Sequence, residues 1–504
     1  MTSRSMLASF SDHAARRAQA TALVWQDERI SYSELYEMAA RAASELRALD
    51  LPRSQPVGLL AEKSPSAIAL ILGCLMAGHC FVLPSFELAS ATHEILFERA
   101  SCSAILSPET GTKVGSMRFA TKIIDTRASG TGLARAIEAG DIAVMLTTSG
   151  STGLPKLVPL PMRGIERFMD WACDKFGIGP GKTVLNYAPL NFDLCFLDVW
   201  ATLKGGGCVA LVDRRHATNG TQLLRLLSTA DVQVIQAVPM FYRLLIEAAK
   251  PSGVRFKGVQ HVIFTGDSMP GACLEALPTL FPAAAFYNIY GCTETNDSFI
   301  HEADLSSPFA GRVPIGQPLP GVEAAILDEN GAVIEGSGVG ELVVLTPFQT
   351  RGYIGDDLNE GKFLSLIRGS SVQAYFRSGD LVQRHEDGSI TLEGRKDFHV
   401  KVRGNRVNMQ EVERIILDHA DVIEGAVVAL PDQLAGNRLQ ASVRRRPRSG
   451  LNSLHLFQHC ARSLARAAIP SSFTVGDSPL PKTSTGKIDR QQIRQLYLKG
   501  EHHA

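Results

Sequence analysis

Short apolar runs alternate with longer helical patterns through the first three hundred residues, and this alternation constrains the fold most strongly. The runs are bounded by turn residues, as in PVGLLA, HCFVLP, CSAILS and DIAVMLT. The segment that follows Ser31 has apolar residues at helical spacing, and Ser31 itself is suited to cap the helix. Short buried strands that alternate with helices form parallel sheets covered by helices. The sequence therefore predicts an α/β fold.

The pattern changes at about residue 310, where Gly, Pro and charged residues become dense. The tetrapeptide DENG at 328–331 is typical of a hairpin turn and indicates a small antiparallel subdomain. After Asp397 the pattern is mixed again. We therefore expect a large N-terminal domain of mixed or parallel sheets with this subdomain (1–396), and a small mobile α+β C-terminal domain (397–504).

Bulk composition excludes several classes of function. Lys+Arg and Asp+Glu both number 51, so the formal net charge is zero and neither a nucleic acid nor a membrane is an expected partner. No window approaches the ~18 apolar residues that span a membrane. The nine cysteines are scattered without a CxxC pair, which favours a reducing cytoplasm.

A loop rich in hydroxyl and glycine residues, LTTSGSTGLPK, follows a buried apolar run. Glycines let backbone N–H groups approach an anion, hydroxyls add donors, and a lysine adds charge. The loop lacks the Gly-Lys-Ser/Thr ending of a Walker A motif. A generic flexible loop rarely combines these residues directly after a buried strand, so we predict contacts with phosphate. The predicted residues are Thr148, Ser149, Gly150, Ser151, Thr152, Gly153 and Lys156.

TSGSTGLPK also resembles the signature of the ANL superfamily, which holds acyl-CoA synthetases, firefly luciferase and the adenylation domains of non-ribosomal peptide synthetases. Further motifs resemble that superfamily in its order over nearly the whole chain. They are SYSEL, MAGHCFVLP, NFDLCFLD, YGCTET, GELVV with RGY, YFRSGDL, GRKDFHVKVRGNRVNMQEVE and PLPKTSTGKIDR. The resemblance implies an AMP-forming ligase that uses ATP and Mg²⁺ to activate a carboxylate.

The resemblance also implies roles for individual residues. Tyr290, next to Gly291, stacks near the adenine; Thr293 contacts the α-phosphate and Glu294 holds Mg²⁺. Asp380 binds the ribose hydroxyls, Arg395 supports ribose and phosphate, and Lys487 is the catalytic lysine. A carboxylate that attacks an α-phosphate brings anions together, so cationic and dipolar groups are needed there. Taken alone, Glu294 fits a helix start, Asp380 a turn and Lys487 a solvated tail.

The segment NFDLCFLD indicates which carboxylate is activated. Fatty-acid and aryl relatives usually carry a histidine in this region, whereas Asn191-Phe192-Asp193 resembles amino-acid-activating members. By that match, Asp193 pairs with the substrate ammonium, which compensates for burying an acid. The alternative is that Asp193 caps the next helix, because DLCFLDVWATL has a helical pattern.

The family's other substrate positions are mostly apolar or small here. They correspond to Leu194, Leu197, Gln236, Ile263, Thr265, Ile289, Asp297 and Ser298. The two polar members, Gln236 and Asp297, indicate a modest side chain with a hydrogen-bonding or cationic group. The start of this set also resembles prolyl-activating members, but the later positions do not follow them.

The chain ends soon after the last motif, so we expect the acceptor thiol in trans, on the phosphopantetheine arm of a separate carrier protein. The resemblance makes Asp397 the hinge and places Arg403 and Gly404 near the thiol tunnel. The prediction is a stand-alone amino-acid adenylating ligase. Two alternatives stay open: an acyl- or aryl-CoA synthetase, and a catalytically inactive binding module.

Overall fold

The computed structural model describes residues 4–108, 121–124, 126, 141–148, 154–306, 312–368, 371–402, 405–432, 436–483 and 487–499. In those parts of the chain, no helix has both the length and the apolar character that crossing a membrane requires.

The α-helices are amphipathic or fully buried. In chain order they are α1 (Met6–Arg16), α2 (Tyr32–Ala48), α3 (Pro65–Ala77), α4 (Ser90–Arg99), α5 (Met162–Phe176), α6 (Thr202–Gly205), α7 (Gly220–Thr229), α8 (Pro239–Ala249), α9 (Gly271–Leu280), α10 (Met409–Leu417), α11 (Ser453–Ala461) and α12 (Arg490–Lys499).

Most strands are short. In chain order they are β1 (Thr21–Trp25), β2 (Glu28–Ser31), β3 (Val57–Leu59), β4 (Phe81–Val82), β5 (Ala104–Pro108), β6 (Thr121–Ile124), β7 (Ile142–Thr148), β8 (Lys156–Pro161), β9 (Thr183–Asn186), β10 (Cys208–Leu211), β11 (Val234–Ala237), β12 (His261–Thr265), β13 (Ala285–Cys292), β14 (Asn296–Ala303), β15 (Gln317–Pro318), β16 (Glu323–Leu327), β17 (Gly338–Leu345), β18 (Phe363–Arg368), β19 (Ser371–Arg384), β20 (Ile390–Arg395), β21 (His399–Val402), β22 (Asn405–Asn408), β23 (Val422–Asp432), β24 (Gly436–Arg445) and β25 (Ser472–Gly476).

The chain forms two compact units. The first comprises the described parts of Met1–Met269, Glu275–Ala324 and Val344–Phe376. The second comprises those of Pro270–Leu274, Ala325–Val343 and Arg377–Ala504. Strand β19 therefore begins in one unit and continues into the other. The boundary expected at Asp397 divides the chain differently and stays a prediction.

The first unit contains a nine-stranded sheet in the order β15-β14-β13-β12-β11-β9-β10-β1-β2. Its middle, from β1 through β13, is parallel, and antiparallel strands flank it at both ends. The central strands β9 and β11 are buried at every position, as short apolar runs between helices predict. The α/β fold class expected for the N-terminal part is confirmed.

A second sheet of the first unit has the order β6-β5-β3-β4-β7-β8 and is parallel except for the last pair. Helix α2 begins with the predicted cap: Ser31 accepts from the Glu34 N–H, and Glu34 reaches back to the Ser31 N–H at 2.8 Å. The apolar run that follows forms α3, which is buried along its whole length. A Cβ at Gly73 would lie 2.6 Å from the Cβ of Ala42, so glycine permits the close packing of α2 and α3.

The second unit carries the hairpin turn and a small α+β core. The carboxylate of Asp328 accepts the N–H groups of Asn330 and Ala332, and Gly331 has a φ of +83°, so DENG forms the predicted turn. Strands β23 and β24 are antiparallel, β25 joins β24 in parallel, and α10 and α11 contribute to one apolar core with them.

Candidate active site

The predicted substrate residues gather where the parallel strands of the nine-stranded sheet end. Gln236 lies in β11, Ile263 and Thr265 in β12, and Ile289 in β13, and all four are buried. The carboxyl ends of parallel strands meet at one edge of the sheet, where open α/β sheets usually bind ligands. These four residues, which were predicted from the sequence, therefore lie near the same edge of the sheet.

A bulge between β13 and β14 positions the next two predicted residues. Tyr290 pairs with Phe299 and Gly291 pairs with Asp297, so Ser298 is the extra residue. A Cβ at Gly291 would lie 2.3 Å from the carbonyl oxygen of Asn296, so only glycine allows this approach. The Ser298 hydroxyl is 3.0 Å from that same oxygen and donates to it. The bulge thus buries both Asp297 and Ser298 at this edge.

Asp193 lies in a turn, with the predicted Leu194 beside it. Its carboxylate accepts the N–H of Leu194 at 3.1 Å. The next helix is a π-helix, Phe196–Ala201, which includes Leu197; its capping residue is Cys195, whose side chain makes no capping bond. The structure therefore contradicts the alternative that Asp193 caps this helix. Single π-turns of this kind are frequent at functional sites.

A buried polar group behind Asp193 was not predicted. The ammonium of Lys63 donates to the carbonyl oxygens of Asn186, Tyr187 and Ala188 at 3.0–3.3 Å, and burial lowers the pKa of Lys63 to about 8. The amide of Asn186 donates to Asp198 at 3.2 Å, and burial holds the pKa of Asp198 well above its usual range. Charged residues inside the largely apolar segments GLLAEKS and LCFLDVW are the sequence signal of this group.

Asp193 and Asp297 interact electrostatically. Burial, and then the charge of Asp193, raise the pKa of Asp297 to about 8. The charge of Asp297 in turn contributes to the raised pKa of Asp198. Three carboxylates from the turn, the π-helix and β14 therefore share one low-dielectric region.

Glu294 is the centre of a second cluster in the first unit. The hydroxyl of Tyr353 donates to Glu294 Oε1 at 2.6 Å, and the hydroxyl of Thr148 is 3.5 Å from the same oxygen. The ammonium of Lys156 lies 4.6 Å from the centre of the Tyr353 ring. The structure thus brings together the two described ends of the predicted phosphate loop and Glu294. Tyr353, in the RGY motif, was missed as a member of this cluster.

Several predicted residues are not part of these contacts or are not described. Thr293 lies in the turn between β13 and β14, and the ring of Tyr290 lies edge-on to Phe299 with centroids 5.9 Å apart. Ser149, Gly150, Ser151, Thr152 and Gly153 lie outside the described residues, as do Arg403 and Gly404.

In the second unit, the two residues predicted to bind ribose are neighbours. Asp380 and Arg395 are register partners on β19 and β20, and their side chains form an ion pair at 3.3 Å. Gly379, just before Asp380, has a φ of +73°, which favours glycine at that position. The predicted hinge residue Asp397 lies in the short 3₁₀ helix Lys396–Phe398.

Lys487 lies in a hairpin loop of the second unit and is exposed. Residues Lys482 and Ile488 form an antiparallel bridge, and the N–H of Thr483 donates to the carbonyl of Lys487 at 2.7 Å. Two buried glutamates hold the ends of this segment. Glu424 accepts from Leu480 N at 2.9 Å and Lys482 Nζ at 2.8 Å, whereas Glu413 pairs with Arg490.

A cavity of about 720 Å³ lies elsewhere in the first unit. Arg163, Arg167 and Arg351 line it, and no acidic residue does. None of the predicted site residues that the structure describes lines this cavity, so its size alone does not identify the site. The clustering of buried polar groups at the sheet edge is the better guide, because such groups are costly without a ligand.

Comparison with known proteins decides the family. The model of the AMP-binding enzyme family matches residues 10–354, and that of the AMP-binding enzyme C-terminal domain matches residues 411–487. The chain belongs to the AMP-binding enzyme family. It is therefore a member of the ANL superfamily, as its motifs predicted.

Relatives of this AMP-binding enzyme include whole proteins and parts of longer ones. It is 28% identical over 495 residues to L-proline–[L-prolyl-carrier protein] ligase of Pseudomonas fluorescens. That match covers 94% of this chain and 96% of the ligase. It is 28% identical over 494 residues to tyrocidine synthase 3 of Brevibacillus parabrevis; that match covers 96% of this chain but only 8% of the synthase.

Among solved structures, o-succinylbenzoate CoA synthetase of Bacillus subtilis, in complex with its acyl-adenylate, is similar with a TM-score of 0.84. The match covers 96% of this AMP-binding enzyme and 97% of that chain, at 22% identity. At this identity the likeness concerns the fold, and it agrees with the expected large N-terminal and small C-terminal domains.

Proposed function

We propose that this chain is an amino-acid–carrier protein ligase that works in two steps. In the first, a carboxylate oxygen of the amino acid attacks the α-phosphorus of ATP, the bond to the bridging oxygen breaks, and pyrophosphate leaves. In the second, a thiol sulfur attacks the carbonyl carbon of the aminoacyl-AMP, the thiol proton is lost and AMP leaves. The acceptor is the phosphopantetheine thiol of a carrier protein.

The observation that carries the proposal is the buried carboxylate of Asp193, which is 9% exposed at the sheet edge. An ionised carboxylate in such a place is costly unless a cation faces it. An α-ammonium group is a suitable partner for Asp193, and a fatty or aryl acid offers none.

The relatives give independent support for this class of substrate. The prolyl ligase of Pseudomonas fluorescens is named for loading proline onto a carrier protein and matches over nearly its whole length. Tyrocidine synthase 3 contains a matching segment within a much longer chain. The CoA synthetase resembles this chain in fold, at lower identity.

The residues around Glu294 fit the Mg²⁺–ATP that the family implies. Magnesium is usually bound by one or two carboxylates together with substrate phosphates, rather than by a cage of protein ligands. Among the described residues no group of three or more His, Cys, Asp or Glu is placed to hold a metal ion. The recorded protein donors, Tyr353 and Thr148, both contact Oε1 of Glu294, which leaves Oε2 for a metal. The metal would neutralise charge on the phosphates.

We assign the remaining roles as follows. Lys156 and the hydroxyl of Thr148 contact phosphate oxygens, and Tyr353 orients Glu294. Asp380 binds the ribose hydroxyls, with Arg395 holding its carboxylate in place. Lys487 supplies positive charge to the developing charge on the α-phosphate, which is where such a group stabilises the transition state.

ATP–pyrophosphate exchange with a panel of acids tests the proposal. We expect exchange with one or a few amino acids and none with their amine-free analogues. Asp193→Asn should abolish it, because the ammonium then lacks its counter-ion. The matched control is Asp174→Asn, which removes the same charge from an exposed position of α5. Better exchange with fatty or aromatic acids than with amino acids would refute the proposal, and transfer to free CoA but not to a phosphopantetheinylated carrier protein would refute its second step.

A further inference from the structure

Gln236 is fully buried in β11, and neither atom of its side-chain amide has a hydrogen-bond partner among the described residues. Native proteins rarely leave a buried amide in this condition, because its desolvation is then uncompensated. A polar group of the substrate is a partner of the right chemistry, since an amide can both donate and accept.

The sheet register shows which face Gln236 occupies. It is in register with Asn186 on β9 and with Ile263 on β12, so the three side chains share one face of the parallel sheet. Asn186 donates to Asp198 from this face, and one oxygen of Asp198 and that of Asn186 also lack partners. The unpaired groups are thus concentrated on the face that bears the predicted substrate residues.

Acidic side chains outnumber basic ones among the described residues that interact electrostatically in this region. Asp193 raises the pKa of Asp297, Asp297 raises that of Asp198, and the ammonium of Lys63 interacts with Asp198. No hydrogen bond or ion pair to the side chain of Asp297 is found in the described parts of the chain. If Asp193 binds the α-ammonium, then Asp297 is still without a cation.

We propose that the amino acid carries a second amine on its side chain, which Asp297 binds. The substrate is then a diamino acid. This inference rests on the proposed function, because it takes the α-ammonium as the partner of Asp193.

An amine fits better than a hydroxyl because of the charge it brings. With a pKa of about 8, Asp297 is mostly protonated at pH 7 in the absence of ligand. The protonated form then exceeds the ionised form by about a factor of ten. A cation at hydrogen-bond distance typically lowers the pKa of an acid by about 1–3 units, which is enough to reverse this preference. A hydroxyl brings no charge, so Asp297 stays mostly protonated next to it.

Exchange kinetics on the full chain test the inference. The panel pairs each diamino acid, from 2,3-diaminopropionate to lysine, with the neutral amino acid of the same length. We expect one diamino acid to exceed its neutral counterpart in kcat/KM on the order of 100-fold or more. Asp297→Asn should remove most of that difference by lowering kcat/KM for the diamino acid.

The circular dichroism spectrum of each variant serves as its folding control. Glu302→Gln is the matched charge control, because it removes one negative charge from an exposed position of the same strand. If Asp297→Asn does not fold, the preference of the unaltered protein for a diamino acid over its neutral counterpart still tests the inference. Neutral or hydroxylated amino acids that exchange as well as diamino acids, with Asp193 still required, would overturn this inference alone. Exchange with amine-free acids only would overturn the proposed function and this inference with it.

Discussion

The guanidinium group of Arg490 makes two hydrogen bonds to the carboxylate of Glu413, at 2.7 and 2.6 Å. Glu413 also accepts the backbone N–H of Val427 at 2.8 Å, so this buried carboxylate joins α10, β23 and the start of α12. Lys487 is three residues before Arg490. The pair therefore fixes one end of the loop that carries the predicted catalytic lysine.

We expect Glu413→Gln to destabilise the protein by about 2–3 kcal/mol, because it weakens two charge-assisted hydrogen bonds that are largely shielded from water. Chemical denaturation followed by circular dichroism measures the change. Glu411→Gln, at an exposed position of the same helix, is the control and should alter stability by less than about 0.5 kcal/mol. Equal effects of the two substitutions would contradict a special role of the Arg490 pair.

Tyr353→Phe removes the hydroxyl that donates to Glu294 at 2.6 Å but retains the ring next to Lys156. If Glu294 binds Mg²⁺, its carboxylate becomes less well oriented, and we expect about a 10- to 100-fold loss of exchange activity with a higher Mg²⁺ requirement. A Mg²⁺ titration of the exchange rate measures both effects.

The control for this substitution is Tyr375→Phe, which removes a similar tyrosine–glutamate hydrogen bond, to Glu323 at 2.7 Å. That bond lies outside the Glu294 cluster, so its loss should leave the Mg²⁺ requirement unchanged. A Tyr353→Phe variant with an unaltered Mg²⁺ response would argue against Glu294 as a metal ligand.

Asp297 should make the stability of the free protein depend on pH. Its pKa is raised to about 8 in the folded protein, so between the ordinary carboxyl range and pH 8 the folded state retains a proton that the unfolded state has lost. Stability therefore falls as pH rises through this window, by up to about 1.4 kcal/mol per pH unit. The groups that face Asp297 electrostatically are Asp193 and Asp198, with Lys63 beyond Asp198.

Comparing the pH dependence of Tm for the unaltered protein and Asp297→Asn isolates this contribution, since the amide does not titrate. The difference should grow in favour of the variant from pH 5 to pH 8. Binding of a diamino acid at pH 7 should also release a proton, seen as a dependence of the calorimetric enthalpy on the buffer. Parallel Tm curves would show that Asp297 is ionised throughout.

Lys63→Met should be strongly destabilising although it replaces one long side chain with another. It removes three hydrogen bonds to the carbonyls that follow β9 and the positive charge near Asp198. Loss of one partner of a buried charged group typically costs about 3–5 kcal/mol. Adding Asp198→Asn should recover part of that loss, and thermal unfolding of the single and double variants measures the coupling. Strictly additive effects would show that the two residues act independently.

The local features were the ones that sequence reasoning predicted well. The cap at Ser31, the turn at Asp328 and the parallel core strands follow from periodicity and turn chemistry within a few residues. The positions of Gln236 and Asp297 came from motif resemblance, and the fold brings them to one edge of a sheet. Their roles stay predictions.

The contacts that were missed are distant in sequence. Lys63 donates to carbonyls more than a hundred residues later, and Tyr353 reaches Glu294 across 59 positions. Such pairings depend on how the sheets and the RGY segment pack in three dimensions, which hydrophobic periodicity does not specify. The apolar pattern after Asp193 did not distinguish an α-helix from the wider π-helix, because both conformations place these apolar residues inward.

The loop between Lys482 and Ile488 is closed by main-chain groups, and the bonds from Thr483 end on the carbonyl oxygen of Lys487 rather than on its ammonium. The backbone of Lys487 therefore makes the structural contacts, and its ammonium is left for the proposed catalytic role. A substitution of the Lys487 side chain therefore removes none of these bonds. If Lys487 is the catalytic lysine, a charge-free variant at this position keeps its fold and binds ATP and the amino acid without converting them.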